Sequence, residues 1–416
     1  MPHHSEVKEV VLSHKATDEQ SAIEVFPSEE YASRQQRVRE KTAAAGFDAL
    51  FITDPANLYY LTGYNAWSFY MPQALVLPVD GKPLLLMREM DANGAHRTAT
   101  GIDPEQILGY PEVMVHNEQM HPGEWMAEQM REHLGPASKH IGYESEAHFF
   151  TIRTFLALTS NLPDWKFSSC NDLINWVRLI KSDAEIAYLR KAGRVVTHAM
   201  QAGMDAIREG RPMNEVAAAI SAAQIDGVPG ADGDYTAIVP MLPTGAAADT
   251  PHLTWTAAPL PASEPISLEI AGAHHRYHAP LARTAVIGCS SERVHHLAAA
   301  TVSGLEAALD TMRPGVTAHE VASAYQRVIQ QAGYEKSSRL GYSIGIGYPP
   351  DWGERTVSIR PDDETVLETG MCFHIIAGQW EDGFGFENSE PVVVTESGIE
   401  LLANFPRGLY EIEPGA

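Results

Sequence analysis

Glu269 stands in the segment Ile266-Ser-Leu-Glu-Ile-Ala-Gly272, apolar on both sides. A short apolar run of this kind reads as a buried strand. A lone carboxylate in such a strand is costly unless it meets a cation. A buried, protonated relic is the alternative. Shortly downstream lie His274, His275 and His278. Imidazoles are common metal ligands, but as strand and turn residues they need no metal. Two further acids, Glu387 and Glu390, fall in Gly385-Phe-Glu-Asn-Ser-Glu390. The cysteines Cys170, Cys289 and Cys372 are far apart and form no CxxC pair. Neither a disulfide framework nor a zinc ribbon is therefore expected.

These groups need elements to hold them. Ser28, followed by Glu29 and Glu30, reads as a helix start, with the helix running to about Ala45 and Gly46 as its cap. Asp48–Asp54 reads as a buried strand. Ala74–Leu77 and Leu84–Met87 flank an Asp80-Gly81 turn and form a hairpin. Ser182-Asp-Ala-Glu185 is a capping box. After it, Ile186, Leu189, Gly193, Val196, Met200, Met204 and Ile207 recur every three or four residues and make one buried helix face, with Gly210 closing the helix. An internal repeat follows. Gly210, Glu215 and Val216 recur as Gly315, Glu320 and Val321, each 105 residues on. Two similar halves facing one another would leave a cleft, the usual place for a site. The fold class expected is α/β (α+β). Residues 1–27 read as a loosely ordered extension, 28–175 as a small N-terminal α/β domain and 176–416 as a duplicated C-terminal domain.

The 416 residues suit about two domains. A net charge of −24 argues against nucleic acid as the partner. No apolar run is long enough to span a membrane. The N-terminus lacks the basic start and apolar core of a signal peptide, so a cytoplasmic protein is expected. The acidity suits a salt-adapted organism, and equally an ordinary soluble acidic enzyme.

Several segments, in order, resemble the pita-bread family of methionine aminopeptidase, proline-specific aminopeptidase and creatinase. They are Asn57-Leu-Tyr-Tyr-Leu-Thr-Gly-Tyr64, Arg178-Leu-Ile-Lys181-Ser-Asp-Ala-Glu185-Ile, Pro251-His252-Leu253, Arg283-Thr284 and Thr395-Glu-Ser-Gly398-Ile-Glu-Leu-Leu402. The resemblance spans about residues 28 to 405 and implies a pita-bread catalytic domain with internal duplication. Peptidases of this family hold two metal ions with two Asp, one His and two Glu. Here those positions fall on Glu269, Pro280, Tyr342, Ile376 and, within a residue or two, Glu387. Pro and Ile offer no side-chain ligand, so this donor set does not build a dinuclear site. No metal and no cofactor is expected.

Creatinase cleaves a C–N bond without metal, and its histidine segment matches Pro251-His252. The resemblance thus makes His252 the proton-transfer group, able to activate water and protonate a departing nitrogen, with a structural histidine as the alternative. Glu269 is the second catalytic candidate, binding an amidinium or guanidinium or attacking its central carbon. Glu387 or Glu390 would orient substrate N–H groups. An aromatic box is expected from Tyr342 and Trp380, with His278 beside it and with Trp67 and Tyr70 in the region that, as the resemblance implies, reaches into a neighbouring subunit's site. Each aromatic face attracts a delocalised cation by roughly 0.5–2 kcal/mol. The creatinase arginine that holds a substrate carboxylate has no counterpart in Asn65–Pro72. Among metal-free members the branch that hydrolyses ectoine, a cyclic amidine bearing a carboxylate, is the best match. It implies ring opening to N-acetyl-2,4-diaminobutyrate by a homodimer. Hydrolysis of another guanidino or cyclic ureido compound and non-catalytic peptide binding are the alternatives.

Overall fold

The computed structural model describes residues 25–414. Of the N-terminal extension, only Val25 to Pro27 falls within that range, and it is packed: Phe26 is buried and the Val25 carbonyl accepts from the Tyr188 hydroxyl.

The first six strands are β1 (Ala49–Ile52), β2 (Ala74–Pro78), β3 (Leu84–Arg88), β4 (Ile107–Tyr110), β5 (His140–Tyr143) and β6 (Lys166–Ser169). They form one mixed sheet in the order β4-β3-β2-β1-β5-β6. Helices α1 (Ser28–Ala44), α2 (Pro55–Thr62), α3 (Glu89–Thr98), α4 (Pro122–Leu134), α5 (Ile152–Asn161) and α6 (Leu173–Val177) accompany it. The expected hairpin is present, β2 pairing antiparallel with β3, and Gly81 supplies the positive φ its turn needs.

The second half runs α7 (Asp183–Ala206), α8 (Met213–Asp226), β7 (Pro265–His274), β8 (Tyr277–Ile287), α9 (Glu292–Thr311) and α10 (Ala318–Gln331). It continues with β9 (Gly341–Tyr348), β10 (Asp351–Ile359), β11 (Cys372–Glu381), β12 (Phe384–Val394), β13 (Ile399–Leu401) and β14 (Leu409–Ile412). The sheet order is β13-β12-β11-β9-β8-β14, with β7 on β8 and β10 on β9. The repeat extends further than the sequence pattern showed. Helices α8 and α10 begin and end 105 residues apart, and β8 and β12 begin and end 107 apart. The mixed α/β class and the duplicated sheet domain are thus both present.

Helix α7 starts with the expected capping box, Ser182 to Glu185. Its whole anticipated apolar face is buried. It ends at Ala206 rather than Gly210, because Ile207 already leaves the helical region and Gly210 sits in the turn beyond, its N–H donating to Leu260. The α7 backbone lies directly on β7. A Cβ on Gly272 would meet the Ala192 carbonyl at 2.2 Å and the Val196 nitrogen at 2.4 Å. This contact holds β7, and therefore Glu269, against a rigid helix.

The two domains are joined by buried charge. Arg34 of α1 is fully buried and pairs with Glu30 at 3.1 Å and with Glu185 of α7 at 3.7 Å. It also donates to the Tyr60 carbonyl and packs over the Phe26 ring. Removing one partner of a buried pair leaves an uncompensated charge. Arg34→Ala is therefore expected to lower unfolding stability by about 3–5 kcal/mol, read by urea denaturation. A loss under about 1 kcal/mol would show that the pair does not tie the domains together.

Candidate active site

Side chains two residues apart on a strand share a face. On β7 this puts Ser267, Glu269 and Ala271 together, and on β8 His278, Pro280, Ala282 and Thr284. The register pairs Glu269 with Ala282 and Ala271 with Pro280. On β11 the same alternation groups His374, Ile376, Gly378 and Trp380; on β12 it groups Glu387 and Ser389. Ile376 lies opposite Ser389 and Gly378 opposite Glu387. Ser389 therefore faces Ile376 across the hairpin, and Glu387 lies two residues before it on the same face.

Glu269 is 4% exposed and accepts no hydrogen bond from any described residue. Burial drives its pKa well above the carboxylate range, and the negative charges of Glu387 and Asp351 add to this. Glu387 is also buried. Burial raises it to about 7, held back by the Trp380 indole N–H, which donates to Oε1 at 3.1 Å, and by Lys336. Its other oxygen has no partner. Trp380 reaches Glu387 because residue 378 is glycine: a Cβ there would lie 2.5 Å from the indole ring. Lys336 is buried, donates to the Gly378 carbonyl at 2.7 Å and stands over the Trp380 ring, with its pKa lowered to about 8 by burial. Two buried carboxyls with unfilled acceptor capacity thus face the same space.

Tyr342 of β9 closes one side. The Trp352 indole N–H donates to its oxygen at 2.8 Å, and His374 Nδ1 lies 2.9 Å from the same atom. Burial, then the charge of Glu269, keeps this phenol protonated well above its usual range. Ala237, Met241, Ala271 and Trp352 pack with Tyr342 into an apolar wall. The Arg339 guanidinium covers the outer face of the Tyr342 ring at 4.4 Å and makes one long hydrogen bond, 3.5 Å to Ser358.

Other candidates take different places. His278 is buried with both ring nitrogens used: Nδ1–H donates to the Arg276 carbonyl at 2.8 Å, and Nε2 accepts from Ala237 N–H at 2.9 Å. Burial lowers its pKa to about 3. It is a neutral structural histidine with nothing left to offer a substrate. Glu390, three residues from Glu387, points to the opposite face of β12, where Arg283 at 2.9 Å and Arg407 at 3.0 Å pair with it. It does not orient a substrate beside Glu269. His252 is exposed in the loop after the short helix Gly245–Asp249 and makes no side-chain hydrogen bond to any described residue. Its neighbour Leu253 accepts from Leu242, next to Met241, which pairs with Glu269. The His252 ring is thus exposed and makes no hydrogen bond to either carboxyl. Trp67 and Tyr70 are 59% and 61% exposed; Trp67 leans on Tyr235 and Phe69. His274 and His275 lie at the β7–β8 turn, where His275 and Arg276 take positive φ.

Among the described residues no group of three or more His, Cys, Asp or Glu could hold a metal ion. The positions matched from sequence to the family's ligands carry Glu269, Pro280, Tyr342, Ile376 and, within a residue or two, Glu387; Pro280 and Ile376 offer no side-chain donor, so the residues present do not fit a dinuclear centre. The sequence reading overlooked His374, Ser389, Trp352, Lys336 and Arg339. Strand alternation through Met371–Trp380 would have placed His374 beside Ile376.

Comparison with known proteins agrees with this architecture. Residues 34–180 match the creatinase/prolidase N-terminal domain and residues 187–396 the metallopeptidase family M24. A curated relative from Halomonas elongata, named ectoine hydrolase, is 41% identical, covering 92% of this chain and 98% of that one. Among solved structures, dipeptidase PepE from Mycobacterium ulcerans superposes with a TM-score of 0.76 at 25% identity, covering 93% of this chain and 99% of that one. A prolidase from Thermococcus sibiricus gives 0.80 at 20% identity, covering 92% and 99%, and shares the fold. With both domain models matched in order and that relative aligned along nearly its whole length, the chain belongs to the M24 metallopeptidase family, in the group of hydrolases that carries a creatinase/prolidase N-terminal domain.

Proposed function

We propose that this protein is a metal-independent hydrolase of cyclic amidines that opens the ring of ectoine to N-acetyl-2,4-diaminobutyrate. The observation that carries the proposal is Glu269, a buried carboxyl with no protein donor, facing a second buried carboxyl, Glu387. Such a pair is costly by itself and is relieved by an organic cation. An amidinium is planar and delocalised, and it presents N–H donors to carboxylates at both ends. Tyr342 and Trp380 supply aromatic walls of the kind that attract it. The relative named ectoine hydrolase supports the same substrate.

In this reading the amidinium sits across Glu269 with its N–H groups toward Glu387. Glu269 polarises the central carbon or attacks it. Water adds its oxygen to that carbon, one ring C–N bond breaks, and the departing nitrogen takes a proton. His252 serves that transfer if its loop folds inward, since its ring now faces outward. The substrate carboxylate needs a cation away from Glu269. Arg339, exposed over Tyr342 and holding one long hydrogen bond, is suited to it.

Glu269→Gln is expected to reduce turnover by about a thousandfold or more while the fold persists. Native Glu269 keeps its proton over a pH range where the unfolded chain has lost it, so its burial costs stability as pH rises through that range. The Gln variant should therefore melt higher than wild type at pH 8, with the difference shrinking toward pH 5, as read by calorimetry. Near wild-type turnover in that variant would remove Glu269 from the mechanism. Arg339→Ala should raise KM for ectoine by about tenfold or more with little change in kcat. An unchanged KM would place the carboxylate elsewhere. Ring opening followed by NMR should survive exhaustive chelation. Hydrolysis that appears only on adding divalent metal, or cleavage of Xaa-Pro dipeptides without ring opening, would overturn the proposal.

A further inference from the structure

His374 is fully buried on β11, between Tyr342 and Ser389. Its Nδ1 lies 2.9 Å from the Tyr342 oxygen and its Nε2 2.7 Å from Ser389 Oγ. Two further donors fix the ends of this chain. Trp352 Nε1–H donates to the Tyr342 oxygen at 2.8 Å, and Ala282 N–H donates to Ser389 Oγ at 2.6 Å. A neutral imidazole carries one N–H, which leaves two arrangements.

If the proton is on Nε2, it points at Ser389. The Ser389 oxygen then accepts two N–H groups, and its own hydroxyl proton needs another acceptor. Ser389 is fully buried and has no further hydrogen-bond partner among the described residues, so that proton would be stranded. If the proton is on Nδ1, Ser389 and His374 are both satisfied. Ser389 donates to Nε2 and accepts from Ala282. The Tyr342 oxygen accepts from both Trp352 and His374. Its own proton is then the one left over, on a residue that is partly exposed where Ser389 is fully buried, and whose phenol feels the charge of Glu269. An unpaired buried hydroxyl disfavours the first arrangement by about tenfold or more. Burial, with Arg339 and Arg283 nearby, also keeps the imidazole neutral, its pKa lowered to about 3.

We propose that His374 is a positioning residue: held by Ser389 as the Nδ1–H tautomer, it occupies the Tyr342 oxygen and so aims the phenol proton into the cleft beside Glu269, toward an electron-rich atom of the substrate. This rests on the amidine-hydrolase reading for its catalytic consequence, though the tautomer itself does not. The donor serves the nitrogen that leaves. As the C–N bond breaks, the electron pair goes to that nitrogen, Tyr342 O–H hydrogen-bonds it without giving up its proton, and the nitrogen takes the proton lost by the attacking water.

Two measurements test this. In wild-type protein labelled with 15N-histidine and without substrate, the His374 ring should show a protonated Nδ1 and a bare Nε2. A protonated Nε2 would overturn the proposal, whatever the substrate proves to be. In ectoine turnover, Tyr342→Phe and His374→Phe should each lower kcat by about 10–100-fold with KM changed less than threefold. The double variant should be no worse than the poorer single one, because both remove the same oriented proton. Losses that multiply would show that His374 acts apart from Tyr342 and would equally overturn the proposal. If ectoine is not turned over at all, the function fails while the tautomer result still stands or falls alone.

Discussion

The geometry of the cleft depends on one unpaid electrostatic demand, the carboxyl of Glu269 held in an apolar strand with no donor. Other buried carboxylates among the described residues are met by donors or cations; Glu144 accepts from the Thr53 and Asp54 N–H groups and from Asn57. Glu354 is met by Lys181, Glu390 by Arg283 and Arg407, and Glu185 by Arg34 and the Tyr277 hydroxyl. Each of these last three has a protein cation within reach. Glu269 has instead a second carboxyl, Glu387, and an aromatic wall. A buried acid left in this state is neutral at rest and becomes an anion when a cation arrives. The fold supports that state mechanically, with β7 pressed onto the α7 backbone at Gly272 and Trp380 folded over Gly378 to grip Glu387.

The same face bears on the proposed metal-independent chemistry. The positions matched from sequence to the family's metal ligands lie on five strands, β7, β8, β9, β11 and β12. Here Pro280 and Ile376 make it apolar, while Tyr342 and Ser389 turn two positions into hydroxyls bridged by His374. The result presents acids at one end and a neutral hydroxyl donor at the side. Under the proposed function, that set suits a planar organic cation whose departing nitrogen needs a hydrogen bond.

Much of this was legible in the sequence, for identifiable reasons. The capping box at Ser182, the Asp80-Gly81 turn and the apolar periodicity of α7 are local signals, and all appear as read. Glu269 was legible because an acid in an apolar strand conflicts with its surroundings. What escaped was set by register and facing. Two acids three residues apart on a strand point to opposite faces, so Glu387 and Glu390 divide between cleft and ion pair. His278 was expected beside the substrate, yet both nitrogens are spent on backbone groups that only tertiary structure supplies. Strand alternation puts His374 on the face of Ile376, but its role was not legible because its partners, Tyr342 and Ser389, come from two other strands.

The most direct test of the central claim, that the carboxyl pair awaits an organic cation, is the proton balance of binding. Titrating ectoine into the protein near pH 7, in buffers of different ionisation enthalpy, reads how many protons leave as ligand enters. To keep turnover from intruding, the titration is best made in the cold and at short times. If the amidinium ionises the pair, binding should release about one proton, and the release should vanish in Glu269→Gln. Binding with no proton release in the wild-type protein, or with the same release in both, would contradict the account.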